Sequence, residues 1–322
     1  MLMRRRKFIV LLGGAAVAGP VAGWAQPGKV PRIGILVLGN PDPAPFLKEF
    51  REGLRELGYV EGQNVVFEFR TAKGSPALLS QLAAELVALK VDIIVGFQTP
   101  AATAAKQATA DIPVVVNSGD PVGTGLVASL ARPGGNVTGV TGAGAELGGK
   151  NLELVREVLP SARRVAVLAN APDPFHKPFV ESIQAAGRTL GIEIKPIAVR
   201  GAEEFDAAFA EMEKWRAEAV IDQPSLTQRR IVEMAMKHRL PSFAPNTNFP
   251  AQGGLMAYSA DQSALYREMA TFVDKIIKGR RPADLPVQLP VKFQLVINLK
   301  TANALGLTLP PTLLTRADQV IE

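Results

Sequence analysis

The chain writes one pattern twice. Arg32-Ile33-Gly34-Ile35-Leu36 is answered by Arg164-Val165-Ala166-Val167-Leu168, and each is followed by a polar loop with an Asp-Pro step, Asp42-Pro43 and Asp173-Pro174. The stretches after these loops end at Leu57-Gly58-Tyr59 and Leu190-Gly191-Ile192. Val95-Gly96-Phe97-Gln98-Thr99 is answered by Ile221-Asp222-Gln223-Pro224-Ser225, and Ile112-Pro113-Val114 by Leu240-Pro241-Ser242. The offset stays near ~130 residues, far too long for a solenoid unit, so the repeat implies two similar lobes.

Within each copy, short apolar runs alternate with amphipathic stretches. Ile33 to Leu38 reads as a strand, and Phe46, Phe50, Leu54 and Leu57 then share one helical face. Val65 to Phe69, Val91 to Val95 and Pro113 to Val116 are further strands, separated by a Leu78-Leu82-Leu86-Leu89 stripe and an alanine-rich helix over Pro100 to Ala110. Such alternation predicts α/β architecture with parallel sheets covered by helices on both faces, that is, two doubly wound Rossmann-like lobes. Glycine-rich joins at Gly134-Gly135, Gly139 to Gly149 and Gly253-Gly254, with Pro286 to Pro290, mark three crossings between the lobes and hence a hinge. We expect an export signal over residues 1–25, a first lobe from 29–144 plus 256–288, and a second from 145–255 plus 289–322.

Composition narrows the function classes. Of 322 residues, 47% are hydrophobic, enough for two cores. The formal charge of +6 is inflated by Arg4, Arg5, Arg6 and Lys7: without them Lys and Arg fall from 36 to 32 against 30 acids, a net of +2. No run of like charges remains to mark a nucleic-acid partner. Cysteine is absent, which excludes disulfides, thiolate metal sites and thiol nucleophiles; histidine occurs only as His176 and His238, which argues against a histidine-based metal cluster, and no cofactor is expected. The basic Arg4 to Lys7, the apolar Phe8 to Ala18 and the small residues of Gly23-Trp24-Ala25 predict a signal cleaved after Ala25, by a twin-arginine-like or general secretory route. A periplasmic location follows. No Gly-x-Ser-x-Gly elbow, Walker loop or dinucleotide fingerprint follows a predicted strand, which argues against an enzyme.

Several longer stretches carry a resemblance. They are Lys48 to Gly62, with Gly53-Leu54-Arg55-Glu56-Leu57-Gly58-Tyr59 within it, then Asp120-Pro121-Val122, and Leu126 to Thr141. Gly253-Gly254-Leu255-Met256, Val296 to Ala302, Ala304-Leu305-Gly306 and Pro310-Pro311 complete the set. Together they resemble the substrate-binding proteins of bacterial ABC importers, the tryptophan/tyrosine-type family, over nearly the whole mature chain. The resemblance implies the type I periplasmic-binding fold, no catalysis, and a monomer that delivers a small molecule to an ABC permease at the inner membrane. An amino acid or a related aromatic acid is the implied ligand class. Asp222-Gln223-Pro224 departs from the family pattern. A sensor of the same fold, signalling to a membrane partner, is the alternative.

In open α/β sheets ligands sit outside the carboxyl ends of the strands. The repeat therefore names the cleft residues in pairs: Asn40, Phe97-Gln98-Thr99 and Ser118-Gly119-Asp120 from the first lobe, and Asn170, Asp222 to Ser225 and Asn246-Thr247-Asn248 from the second. Thr99 and Ser225 stand at expected helix starts, where they either cap the helix or hold an anion. Asp120 ends the buried run Val114-Val115-Val116-Asn117-Ser118; it either closes the turn before Pro121 or receives a ligand ammonium, with Asn170, Asn246 and Asn248 as partners. Phe46, Phe97, Phe175, Phe249 and Tyr258 either stack on an aromatic ligand or fill the core.

Overall fold

The computed structural model describes residues 29–39, 42–226 and 229–322. The expected export signal and Asn40 lie outside the described residues. The fold is argued for Pro31 to Glu322, which form one compact unit.

Two sheets organise this unit. The first holds β1 (Arg32–Val37), β2 (Val66–Thr71), β3 (Ile93–Phe97), β4 (Val114–Ser118) and β5 (Val137–Thr141), paired in parallel in the order β2-β1-β3-β4-β5. The second holds β6 (Arg164–Asn170), β7 (Glu193–Val199), β8 (Ala219–Asp222), β9 (Ser242–Phe243), β10 (Met256–Ala260), β11 (Phe293–Asn298) and β12 (Gln319–Ile321), in the order β12-β11-β10-β9-β8-β6-β7. Its single antiparallel pair is β10 with β11. Both sheets reverse direction beside their first strand, at β1/β3 and β6/β8, which are the switch points where crevices open.

Helices cover both faces because each strand alternates its side chains. Ile33, Ile35 and Val37 pack with Phe46, Phe50 and Leu54 of α1 (Ala44–Glu56), whereas Leu36 packs with Leu79, Ala83 and Leu86 beneath α2 (Leu79–Ala88) and α3 (Thr99–Ala108). In the second lobe Val165, Val167 and Ala169 face α4 (Gly144–Val158) and α5 (His176–Leu190). Ala166, Leu168 and Val220 face α6 (Phe205–Trp215) and α7 (Arg229–Lys237). A fully buried phenylalanine such as Phe50 contributes about 1.5–3 kcal/mol.

The crossings lie side by side. The first leaves β5 at Thr141 and enters α4. The third runs through Gln288, whose N–H donates to Gly139 O at 3.0 Å and whose carbonyl accepts from Thr141 N at 3.0 Å. The second joins the third where Asp261 N donates to Lys292 O at 2.9 Å. One sequence boundary needs correction. Residues 256–260 form β10 inside the second sheet, so the chain leaves the second lobe only after Ala260. The apolar alternation of Met256-Ala257-Tyr258 suits either sheet; the antiparallel pairing with β11, invisible in sequence, decides.

α8 (Gln262–Ile277) then returns to the first lobe and lies against α1. The approach is close: a Cβ added at Gly53 would stand 3.0 Å from Ala270 Cβ and 3.1 Å from Arg267 Cα. Gly53→Val should therefore destabilise the protein by about 1–3 kcal/mol, read as a lowered denaturation midpoint. An unchanged midpoint would show that the helices separate freely.

Candidate functional site

A cavity of about 320 Å³ opens between the carboxyl edges of the two sheets, within the size range of small-ligand sites. The first lobe contributes Asp42, Phe46, Phe97, Gln98, Thr99, Asn117 and Gly119, with Gln262 and Tyr266 from α8. Facing them are Asp173, Phe175, Ser225, Asn246 and Asn248. Among the described lining residues there is no Lys, Arg or His, but there are two aspartates.

Asp173 is the electrostatic centre. It is 3% exposed, and every partner it has is neutral. Oδ1 accepts from Phe175 N at 2.9 Å; Oδ2 accepts from Ser225 Oγ at 2.6 Å and Gln223 Nε2 at 2.8 Å. Gln223 in turn accepts from Asn170 N at 2.9 Å, and Asn170 Nδ2 donates to Ser225 Oγ at 3.2 Å. Burial pushes the Asp173 carboxyl up to about 6, against the opposing pull of these hydrogen bonds. Among the described residues this carboxylate is held by dipoles and has no counter-charge. Asp42 makes the same local turn, its Oδ1 accepting from Ala44 N at 2.9 Å, so the two Asp-Pro steps of the repeat reach one cavity from opposite lobes.

The opposite wall is aromatic. Phe46 and Phe97 stack with ring centroids 4.3 Å apart and 2° between planes, and Tyr266 meets both edge-on at 5.4 and 5.5 Å. The Tyr266 hydroxyl donates to Gln262 Oε1 at 2.9 Å, and burial raises its pKa. Phe175 bridges the lobes. Its ring lies against Gly119 and Gly144, where an added Cβ would approach to 2.7 and 2.8 Å. A Cβ at either position would have to displace the ring.

The structure brings Phe97, Gln98, Thr99, Phe175, Ser225, Asn246 and Asn248 onto the cavity wall. Ser118 and Asn170 stand one layer behind. Ser118 Oγ is 3.1 Å from Thr99 Oγ1, and strand alternation turns Asn117 and Gly119 toward the cavity instead. Two aspartates are corrected. Asp120 does not line the cavity; its Oδ1 accepts from Gly123 N at 2.7 Å and closes the turn. Asp222 follows Val220 onto the α6–α7 side of its sheet, fully buried, with neither oxygen bonded among the described residues; burial drives its pKa well above the ordinary value.

Phe249 packs with Val232 and Ala244, and Tyr258 stacks on Phe293, neither at the cavity. Asp173, Gln262 and Tyr266 also line the cavity, where the strand-end reading did not place them. The signal for Asp173 was available, because the repeat pairs it with Asp42. For Tyr266 there was none, since only the packing of α8 on α1 brings it to the cleft.

Comparison with known proteins agrees with this architecture. Residues 40–321 match the family model described as ABC transporter substrate binding protein. A tyrosine-binding protein of Clostridioides difficile is 27% identical over 284 residues, covering 87% of this chain and 82% of that one. Among solved structures, a conserved domain protein from Vibrio cholerae superposes with a TM-score of 0.86 at 27% identity, over 91% of this chain and 100% of its own. A Streptococcus pneumoniae ABC domain in complex with L-Trp superposes with a TM-score of 0.85 at 30% identity, over 90% and 99%. Two sheets, three crossings, a cleft between them and a family match over most of the length lead to one conclusion: the chain belongs to the ABC transporter substrate binding proteins.

Proposed function

We propose that this chain captures an α-amino acid with an aromatic side chain outside the cytoplasm and hands it to an ABC permease. The observation that carries the reading is Asp173, a buried carboxylate on the cavity wall with three neutral donors and no cation. A ligand ammonium supplies the missing charge. The Phe46–Phe97–Tyr266 wall offers apolar surface and ring edges to an aromatic side chain. The ligand carboxylate is left to neutral donors such as Thr99 and Asn117, as no cationic side chain lines the cavity among the described residues. An aromatic acid without an amine would confront Asp42 and Asp173 with a like charge. Tyrosine and tryptophan, bound by the relatives named above, satisfy both walls.

Catalysis is not part of this reading. His176 heads α5 and His238 Nδ1 lies 3.0 Å from Glu213, so neither reaches the cavity to act on Ser225. No helix among the described residues is long and apolar enough to cross a membrane, and the permease would supply that element. Export through the leader ending near Ala25, and action as a monomer, belong to the same proposal.

Isothermal titration should show L-tyrosine or L-tryptophan binding about 10–100-fold more tightly than 3-(4-hydroxyphenyl)propionate, which lacks the ammonium. Equal or tighter binding of the desamino acid would defeat the reading. Asp173→Asn should weaken the amino acid by a similar factor. In the parent protein, affinity should fall as pH drops below about 6, because the carboxylate that receives the ammonium becomes protonated. The unliganded fold moves the other way. A carboxyl raised above its free value of 3.8 costs stability when ionised, so that cost disappears as pH falls from about 6 toward 4. An affinity flat across this window would remove Asp173 from the ammonium role.

A further inference from the structure

Gln223 is fully buried, and each end of its side-chain amide is committed. Oε1 accepts from Asn170 N at 2.9 Å, and Nε2 donates to Asp173 Oδ2 at 2.8 Å. The main-chain N–H of Asn170 can only donate, so the amide is fixed one way round, with its nitrogen toward the carboxylate. The internal repeat puts Phe97 at the corresponding place in the first lobe, where its ring stacks on Phe46. The fold thus accepts an apolar side chain there, and an amide is costly to bury unless both its ends are bonded. Asp42, the counterpart of Asp173 in the repeat, has no such donor. Among the described residues it accepts only the local bond from Ala44 N.

Two donors converge on one oxygen of Asp173. Gln223 Nε2 meets Oδ2 at 2.8 Å and Ser225 Oγ meets it at 2.6 Å. Ser225 Oγ itself accepts from Asn170 Nδ2 at 3.2 Å, which leaves its proton for Asp173. Both lone pairs of Oδ2 are then taken, and a proton on this carboxyl has to sit on Oδ1, beside the N–H of Phe175. The titratable groups around Asp173 are few. Asp42 and Tyr266 share the cavity wall, His176 and Lys177 open α5, with Lys177 3.8 Å from Glu181, and Asp222 precedes Gln223 at the end of β8. None of them bonds the Asp173 carboxylate; His176 reaches this residue only through its main-chain N–H, which donates to Asp173 O at 2.9 Å. Resting on the amino-acid reading above, we infer that Gln223 is a positioning residue: its amide, oriented by Asn170, fixes Asp173 Oδ2 as an acceptor and keeps the carboxylate in the form that receives the ligand ammonium. Gln223 does not line the cavity, so it acts on the ligand only through Asp173.

The test uses the full mature protein and Gln223→Met, which fills similar space and removes both bonds of the amide. Affinity for L-tyrosine and L-tryptophan is measured as a function of pH. In the parent it falls as pH drops below about 6. Without the Gln223 donor the neutral acid is favoured, so this midpoint should move up by about one pH unit. The variant should then bind about fivefold more weakly near pH ~6 and within about twofold of the parent near pH ~8. A side chain that only packs would weaken binding by the same factor at both values. That outcome, or an unmoved midpoint, overturns the inference. Should Gln223→Met fail to fold, the parent answers by NMR: its Gln223 side-chain amide protons should shift with the same pH midpoint as the affinity. Amide protons that stay constant through this range overturn the inference as well. A parent protein that binds neither amino acid overturns it together with the reading beneath it. A parent whose affinity falls with pH as stated, beside a variant with the same midpoint, overturns the inference alone.

Discussion

A β-strand turns successive side chains to opposite faces, and this two-residue period organises both the cores and the cleft. Along β1 it sends Ile33 and Ile35 to the α1–α8 layer and Leu36 to the α2–α3 layer, so one strand serves two cores. At the carboxyl ends the same period decides function. Asn117 and Gly119 face the cavity while Ser118 is turned onto Thr99. Gln223 reaches Asp173 while Asp222 is driven into the α6–α7 layer, where burial favours its neutral form. Neighbours in sequence thus hold unrelated jobs.

That period also explains what could be read in advance. The two-lobed plan was legible because the repeat copies strand, loop and helix in the same order, and each copy must bury its own apolar faces. Strand-end loops were legible as a cleft for the same reason, which is how Gln98, Thr99, Ser225 and Asn246 were found. Which carboxylate lines the cavity was not. Asp120 and Asp222 stand at strand ends, yet a local turn claims one and strand parity buries the other. Asp173 lies in the loop after β6, and its weight comes from Gln223 and Ser225, about fifty residues further on. The place of β10 rests on an antiparallel pairing, and that of Tyr266 on helix packing; neither leaves a periodic trace.

The cleft joins two unlike walls. The second-lobe wall holds a buried charge by dipoles alone; the first-lobe wall is a ring stack with one hydroxyl tied to an amide. Phe175 couples them, since its backbone N–H is bound by Asp173 and its ring rests on Gly119 of the first lobe. In the proposed mode of binding, an ammonium arriving at Asp173 acts on a side chain already seated against the other lobe.

The most direct measurement is a crystal structure of the protein with L-tyrosine. The account predicts the ligand between the lobes, with its ammonium within about 3 Å of an Asp173 oxygen and its ring against Phe46, Phe97 and Tyr266. An ammonium placed on Asp120 or in solvent, with Asp173 still bound only by Phe175, Ser225 and Gln223, would contradict it.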